Sequence, residues 1–309
     1  MKKKKKVLAL YYTQSGQLKN ILDSFTTPLI NDSDIELTVA KIEPKKEYPF
    51  PWKKFSTFLN IFPECVYNDP PEVALDEKIM EEDYDLIILS YQVWYLSPSL
   101  PFCGFLKSRY AKKLLKDKPV ITLIGCRNMW LMAQEEVKRL LQENEAKHID
   151  NVVLTDQGNS IENFFTVVRW VIYGRKNKFL FFPPAGVAEE EIKNCSRFGE
   201  KLKVALSEDL EKTGEPLLKG MGAVEVNEKL IASEKAGRRN FLIFGKLFRK
   251  IGNQDSVFRK NMMYIYMAIF LTLIIAVVPT SILIKTILKP LTKKTIQKQK
   301  AYYEKPSGS

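Results

Sequence analysis

The residues best suited to chemistry near the start of the chain lie in the stretch LYYTQSGQLKN, residues 10–20. It follows the apolar run Val7–Leu10 and precedes a helix-like stretch, so it predicts a corner between a strand and a helix. Thr13, Ser15 and Gly16 would lie at the positive end of that helix, which is the geometry of a phosphate site. A helix cap with a glycine turn is the alternative, and the corner alone favours neither.

Two more loops follow apolar runs that predict buried strands, Asp85–Tyr91 and Pro119–Gly125. Because the ligands of an open parallel sheet bind beyond the carboxyl ends of its strands, all three loops are expected at one edge. Trp94 and Tyr95 in the second loop offer planar surfaces on which a heteroaromatic ring can stack. Local packing is the alternative for both.

The third loop begins with Gly125, which would let a ligand approach the backbone closely. Arg127 would counter an anionic ring or an enolate, and Asn128 is a second candidate partner for such a charge. A surface salt bridge is the alternative for Arg127. With three loops in this order, the pattern favours a ligand site over local packing.

The elements that must position these loops alternate along the chain. Continuous apolar strands separated by helices indicate a parallel sheet covered on both faces, and five such strands fit a doubly wound α/β fold. The predicted strands are Val7–Tyr12, Ile35–Ile42, Asp85–Tyr91, Pro119–Gly125 and Asn151–Thr155. The predicted helices are Gly16–Phe25, Phe102–Leu115, Met129–Glu143 and Glu189–Leu210.

Two insertions interrupt the alternation, at about residues 43–74 and 164–182. The first would form either one wall of an alkyl-chain pocket or a hydrophobic mini-core under a long loop. Its aromatic residues are Tyr48, Phe50, Trp52, Phe55, Phe58, Phe62 and Tyr67. We expect the domain to cover residues 1–212, with a linker and a basic juxtamembrane region at 213–260.

Residues 262–284 contain no charged side chain and are bounded by lysines. As a helix this segment would be about 34 Å long, so we expect a membrane segment over residues 261–285 and a basic tail at 286–309. One crossing from a cytoplasmic domain would place the basic tail outside, against the positive-inside tendency. Alternatively, Pro279 could bend the segment so that it dips into the membrane and returns.

Charge, cysteine and histidine usage exclude several other classes of protein. The net charge of +12 over 309 residues comes from basic clusters at the chain ends and before the apolar segment, which favours anionic lipid over nucleic acid as a partner. Four widely spaced cysteines indicate buried free thiols. The single histidine, His148, is expected in a solvated connection and excludes multi-histidine metal sites, so we predict no metal.

Together, the three loops and their strands resemble the flavodoxin-like fold, whose members hold FMN with the phosphate on the first loop and the isoalloxazine ring between the other two. The flavodoxin loop usually reads S/T-x-T-G-x-T; Thr13, Ser15 and Gly16 match it, and Leu18 occupies the last hydroxyl position. The resemblance implies a cofactor site of Thr13, Gln14, Ser15, Gly16, Gln17, Leu18, Gln92, Val93, Trp94, Tyr95, Gly125, Cys126 and Arg127.

A closer resemblance covers most of the region before the apolar segment. The stretches YPFPWKKF, NIFPECVY, VWYLSPSLP, LIGCRNMWLMAQE and FPPAG look like the bacterial dialkylresorcinol condensing enzymes. These act with a ketosynthase partner in making dialkylresorcinols, as in the flexirubin type of pigment pathway. The resemblance implies the same partner and a long-chain alkyl substrate.

The reaction can be weighed separately, because a flavodoxin-like domain has no thiolate–histidine pair suited to condensation. Converting a dialkylcyclohexanedione to a resorcinol is a two-electron dehydrogenation, for which a flavin is suited. We therefore expect an FMN-dependent oxidoreductase on the cytoplasmic side of the cytoplasmic membrane, with Arg127, Asn128 and Tyr95 as catalytic residues. Two alternatives stay open: a membrane-tethered flavin electron carrier or quinone reductase, and a cofactor-free scaffold of the biosynthetic complex.

Overall fold

A parallel sheet in the order β2–β1–β3–β4–β5 organises the chain. The computed structural model describes residues 3–158 and 160–308, without the side chains at 160, 161, 163–165 and 273–291. The strands are β1 (Lys5–Tyr11), β2 (Ile35–Lys41), β3 (Leu86–Trp94), β4 (Pro119–Cys126) and β5 (Lys147–Thr155). This is the flavodoxin-like order of a doubly wound sheet, so the predicted α/β fold is confirmed.

Both faces of the sheet are buried, which explains why its strands are continuous apolar runs. In β1, Leu8 and Leu10 enter the core on one face, and Val7 and Ala9 enter the core on the other. All four side chains are fully buried. Such two-sided burial requires helices on both faces of the sheet.

The covering helices leave little space between themselves and the sheet. On one face, α1 (Gln17–Ile30) packs against α9 (Ser196–Ser207) so closely that a Cβ at Gly199 would lie 1.9 Å from the carbonyl oxygen of Phe25. On the other face, α6 (Leu131–Glu143) buries its apolar side. The remaining helices of the sheet domain are α4 (Leu100–Leu106), α5 (Arg109–Leu115), α7 (Ser160–Tyr173) and α8 (Glu189–Asn194), with 3₁₀ turns at Glu77–Glu81 and Leu210–Thr213.

The insertion at 43–74 is structured rather than an open loop. It contains α2 (Phe55–Asn60), α3 (Phe62–Val66) and a short antiparallel pair, Glu43–Pro44 with Val73–Ala74. Tyr48, Trp52 and Phe62 are each at least nine-tenths buried. These residues form a mini-core, which was one of the two alternatives for this segment.

The segment after residue 212, for which the sequence predicts a linker, packs on the domain. Leu218 and Ile231 are buried. The chain then forms α10 (Glu228–Ile251), a 24-residue helix against α3, in which Phe248 is 1% exposed. Sequence reasoning missed this helix because its apolar and basic residues also suit a membrane surface.

The last helix, α11 (Val257–Tyr303), contains the predicted membrane segment. Within the described part of the chain, no helix combines the length and the apolar character needed to cross a membrane. Residues 273–284 of the predicted segment lie outside the described side chains. After α11 the chain returns to the sheet, where the Ser307 hydroxyl donates to Oδ1 of the buried Asp150 at 2.7 Å.

Candidate functional site

The loop after β1 lies at the point where strand order reverses, between β1 and β3. Gly16 has a φ of 85°, which L-residues rarely adopt, and its N–H donates to Oγ1 of Thr13 at 3.1 Å. A Cβ at Gly16 would meet no atom within 4 Å. The Ser15 side chain is half-buried and forms no hydrogen bond within the described residues. The loop therefore combines open space, a free hydroxyl and the N-terminus of α1.

The two glutamines of this loop hold neighbouring loops in place. Gln14 Nε2 donates to the carbonyl oxygen of Pro49 at 2.9 Å. Gln17 accepts from the backbone N–H of Val187 at 3.1 Å and donates to the carbonyl oxygen of the same residue at 3.3 Å. These side chains position the walls of the site and have little donor capacity left for a ligand.

Leu18, at the last hydroxyl position of the flavodoxin pattern, enters the core and is 3% exposed. Its Cδ1 would lie 3.2 Å from a Cβ at Gly125, and Ile21 Cδ1 would lie 3.0 Å from it. Gly125 is thus needed for packing against α1, whereas the sequence predicts that it makes room for a ligand. Leu18 therefore supplies no side-chain hydroxyl to the site.

The loop after β3 is a tight hairpin turn in which Tyr95 and Leu96 have φ values of 50° and 57°. Trp94 is 8% exposed and meets the rings of Tyr48 and Trp52 edge-on, at centroid distances of 5.3 and 6.3 Å. These contacts correspond to the packing alternative for Trp94.

Tyr95 is engaged in the same way. Its ring stacks on Phe58 at 5.1 Å, and its hydroxyl donates to the carbonyl oxygen of Phe58 at 2.8 Å. Burial raises the pKa of Tyr95 well above its usual range. The hydroxyl is therefore protonated and committed to a main-chain acceptor.

Gln92 and Val93, which precede this turn, are both half-buried. The Nε2 atom of Gln92 is buried and has no hydrogen-bond partner within the described residues. Gln92 pairs in register with Gly125 on β4, so this amide lies at the carboxyl edge of the sheet. A buried donor without an acceptor is costly, and a ligand carbonyl would satisfy it.

The loop after β4 holds Cys126, Arg127 and Asn128, all half-buried. Desolvation lowers the pKa of Arg127, while the nearby Asp156 carboxylate partly restores it. Desolvation also raises the pKa of Cys126 well above its usual range, so the thiol is protonated at neutral pH. The structure thus gives this loop one cation at the carboxyl edge of the sheet.

Asp156, which sequence reasoning missed, ties this loop to the segment around residue 186. Its backbone N–H donates to the carbonyl oxygen of Arg127 at 2.8 Å, and its carboxylate accepts from the N–H groups of Gly186 at 2.8 Å and Gly158 at 3.2 Å. Asp156 is 7% exposed, and burial raises the pKa of its carboxyl although these donors and Arg127 oppose the shift. In the sequence, only its position directly after the predicted strand Asn151–Thr155 indicates that Asp156 lies at this edge of the sheet.

His148 lies on β5 and not in a solvated connection, so that expectation was wrong. Its ring Nε2 is 2.9 Å from the hydroxyl of Thr122 and 3.4 Å from the amide nitrogen of Gln134. The four cysteines are free, and three of them are buried. Among the described residues, no three histidine, cysteine or acidic side chains form a metal-binding group.

The geometry defines a doubly wound, flavodoxin-like protein in which three loops meet at the carboxyl edge of the sheet. No family model matches the sequence, and no curated protein matches it significantly.

Several solved flavoproteins are similar in fold. A flavoprotein from Lactobacillus acidophilus NCFM in complex with FMN is 19% identical with a TM-score of 0.38, over 48% of this chain and 93% of that chain. Flavodoxin 1 from Bacillus cereus is 16% identical with a TM-score of 0.34, over 63% and 94%. A WrbA-like flavodoxin from Agrobacterium tumefaciens is 11% identical with a TM-score of 0.36, over 66% and 98%. Because these TM-scores are low, the fold assignment rests on the strand order.

Proposed function

We propose that this chain is an FMN-dependent oxidoreductase with its cofactor at the carboxyl edge of the sheet, between β1 and β3. The loop after β1 carries the proposal. It offers the unpartnered Ser15 hydroxyl and the N-terminus of α1 beside open space, at the switch point where doubly wound sheets bind ligands.

The residues present fit FMN in two respects. Thr13, Ser15 and Gly16 would hold the phosphate, since a helix N-terminus and a hydroxyl donor suit a dianion. The buried amide of Gln92, which lacks an acceptor, would donate to a carbonyl of the flavin ring.

For the reaction we propose the aromatisation of a dialkylcyclohexanedione made by a partner ketosynthase, on the strength of the sequence resemblance. The ring loses two hydrogens, one as a hydride and one as a proton, and FMN when bound accepts the hydride. Arg127 would hold the enolate oxygen of the dione, since its guanidinium is a cation whose charged form the Asp156 carboxylate favours. Asn128 would donate a second hydrogen bond to the enolate, whereas the committed hydroxyl of Tyr95 favours a packing role.

The test is the visible spectrum of the purified full-length protein, before and after incubation with FMN and gel filtration. We expect flavin bands at roughly 370 and 450 nm that bleach with dithionite and with an added dialkylcyclohexanedione. Bleaching by dithionite or NAD(P)H, but not by the dione, would favour the electron carrier or quinone reductase. A protein that stays colourless with added FMN would contradict the proposal.

A cofactor-free scaffold is the second candidate, and one observation favours it. Trp94 and Tyr95 are the residues expected to stack on the flavin ring. Both rings instead pack against neighbouring aromatic side chains. Leu18 adds no phosphate donor because it is buried. The colourless outcome above would identify this candidate.

We also propose that the apolar segment at 262–284 binds the cytoplasmic membrane and keeps the domain on its cytoplasmic side, where long-chain substrates partition. The described flanks of the segment support one orientation. Within the first turns of the segment, the Tyr266 hydroxyl donates to Oδ1 of Asn240 at 2.6 Å. After it, the ring of Tyr303 lies 5.4 Å from Nζ of Lys235. Lys235 and Asn240 are both on α10, about 7.5 Å apart along its axis, so both flanks would stay on the side of the domain.

This orientation predicts that the tail and the domain are digested from the same side of a membrane. In inverted vesicles carrying the full-length protein, external protease should remove a tag appended after Ser309 together with a tag at Met1. Both flanks being cytoplasmic also satisfies the positive-inside tendency of the tail lysines. A protected C-terminal tag would contradict this orientation, and a protein that does not float with the vesicles would contradict membrane binding itself.

A further inference from the structure

Helix α10 contacts the turn that follows β3 and the first turn of α6, the helix that follows the loop after β4. Arg238 reaches the turn after β3, where its Nη1 donates to the hydroxyl of Ser97. One residue earlier, a Cβ at Gly237 would lie 3.1 Å from Cδ1 of Leu96 in the same turn. Helix α10 is therefore in direct contact with the turn that contains Tyr95.

One turn earlier on α10, Glu234 reaches the first turn of α6, the helix that follows the loop after β4. It is fully buried, and its Oε1 accepts from the backbone N–H of Met132 at 2.7 Å, in the first turn of α6. No side chain within α6 or its preceding residue caps that helix. Glu234 thus caps α6 from a distant part of the chain. The capped end of α6 directly follows residues 127–130 in sequence.

The second carboxylate oxygen of Glu234 has no hydrogen-bond partner within the described residues. The titratable groups that share its surroundings come from four elements: Tyr91 on β3, Cys126 on β4, Glu135 on α6 and Tyr303 at the end of α11. None of these four groups carries a positive charge that would stabilise the ionised carboxylate of Glu234. Burial accordingly raises the pKa of Glu234 to about 7, although the α6 N–H groups oppose the shift.

We infer that Glu234 is a positioning residue of the candidate site: by capping α6 it fixes the loop that carries Arg127, while Arg238 fixes the turn after β3. The segment expected to be a linker thereby sets the spacing of two ligand loops. This inference rests on the proposed function for the identity of the ligand, but the attachment of the loop to α10 can be measured without it.

The experiment compares Glu234→Ala, Glu234→Gln and the matched control Glu225→Ala in the full-length protein. Glu225 is exposed and precedes α10. The readout is the pH profile of Cys126 alkylation by iodoacetamide, followed by mass spectrometry; the other three cysteines are buried and serve as internal references. Loss of the cap in Glu234→Ala should increase the Cys126 rate about tenfold, in line with one helix cap. Glu234→Gln keeps an acceptor oxygen for the cap and should react at pH 7 more slowly than Glu234→Ala.

Removing the charge gives a second signature, in which the shift of the Cys126 profile reports on the loop after β4 and the stability reports on the burial of the carboxyl. Ionised Glu234 raises the pKa of Cys126, so the Gln variant should react at lower pH than the wild type. Because the pKa of Glu234 is higher folded than unfolded, its protonation stabilises the folded chain at low pH and that stability is lost as pH rises through about 7. Between pH 5 and 8 the wild-type unfolding constant should rise about 70-fold relative to Glu234→Gln.

FMN titration of the same variants separates this inference from the proposed function. The wild type and Glu225→Ala should bind FMN equally, and Glu234→Ala should bind about tenfold more weakly with rescue by Glu234→Gln. If the wild type takes up no FMN, the proposed function fails while the Cys126 profile still decides the role of Glu234. A Cys126 profile of Glu234→Ala that matches the control overturns the inference.

Discussion

Replacing Gly16 by glutamate should weaken FMN retention at least about 100-fold and leave the domain folded. Gly16 has a φ of 85°, and a Cβ built there meets no atom within 4 Å, so a glutamate would begin in open space. Its carboxylate would oppose the phosphate dianion at the N-terminus of α1. The left-handed conformation costs a non-glycine residue only about 1 kcal/mol. The measurement is FMN titration by fluorescence quenching, with circular dichroism to follow folding.

Gly214→Glu is the matched control for this substitution. Gly214 also has a positive φ, 78°, and open space around a Cβ, but it ends the 3₁₀ turn Leu210–Thr213 in an exposed position. Both variants therefore introduce the same charge at the same backbone strain. Equal FMN affinity in the two would mean that the loop after β1 is a helix turn and not a phosphate site.

The strands and the loop after β1 could be predicted because each depends on residues close together in sequence. Val7–Leu10 is apolar throughout because both faces of β1 are buried, and this leaves a continuous run in the sequence. The corner after it contains its own signal, a glycine that the left-handed conformation at residue 16 requires.

The roles of Trp94 and Gly125 could not be predicted, since both depend on residues far away in sequence. Trp94 is covered by aromatic side chains of an insertion some forty residues earlier, for which a pocket wall and a mini-core were equally consistent with composition. Gly125 faces Leu18 and Ile21 across the sheet–helix interface. An aromatic residue or a glycine at a strand end has the same local pattern whether it contacts a ligand or a neighbouring element.

The same limit applies to α10 and to the acidic residues at the site. Glu234 is more than a hundred residues from the helix that it caps, and nothing in its own neighbourhood distinguishes it from the exposed carboxylates of a surface helix. Asp156 accepts from the N–H of Gly186, thirty residues later. Buried carboxylates of this kind are recognised only when the backbone donors around them are known.

Trp94→Ala should lower the free energy of unfolding by about 3–5 kcal/mol, the cost of emptying a packed aromatic position. Trp94 is 8% exposed and contacts the rings of Tyr12, Tyr48 and Trp52, so its removal leaves a cavity among side chains that cannot collapse without moving the insertion. Urea unfolding measures the loss. Trp170→Ala is the matched control because that half-buried ring meets Phe50 edge-on at 5.9 Å, and about 1 kcal/mol should be lost there.

The same variant decides between packing and stacking at the site. If Trp94 only packs, FMN affinity of the folded Trp94→Ala protein should change less than about threefold, because no ring face is withdrawn from the ligand. If Trp94 stacks on the flavin, affinity should fall by about 1–3 kcal/mol while stability changes little, since the ring would then be exposed to the ligand and not held by Tyr48 and Trp52. The structure favours the first result, because the rings of Tyr12, Tyr48 and Trp52 lie at centroid distances of 5.9, 5.3 and 6.3 Å from Trp94. FMN would then rely on polar contacts from Gln92 and Ser15 at this edge of the sheet.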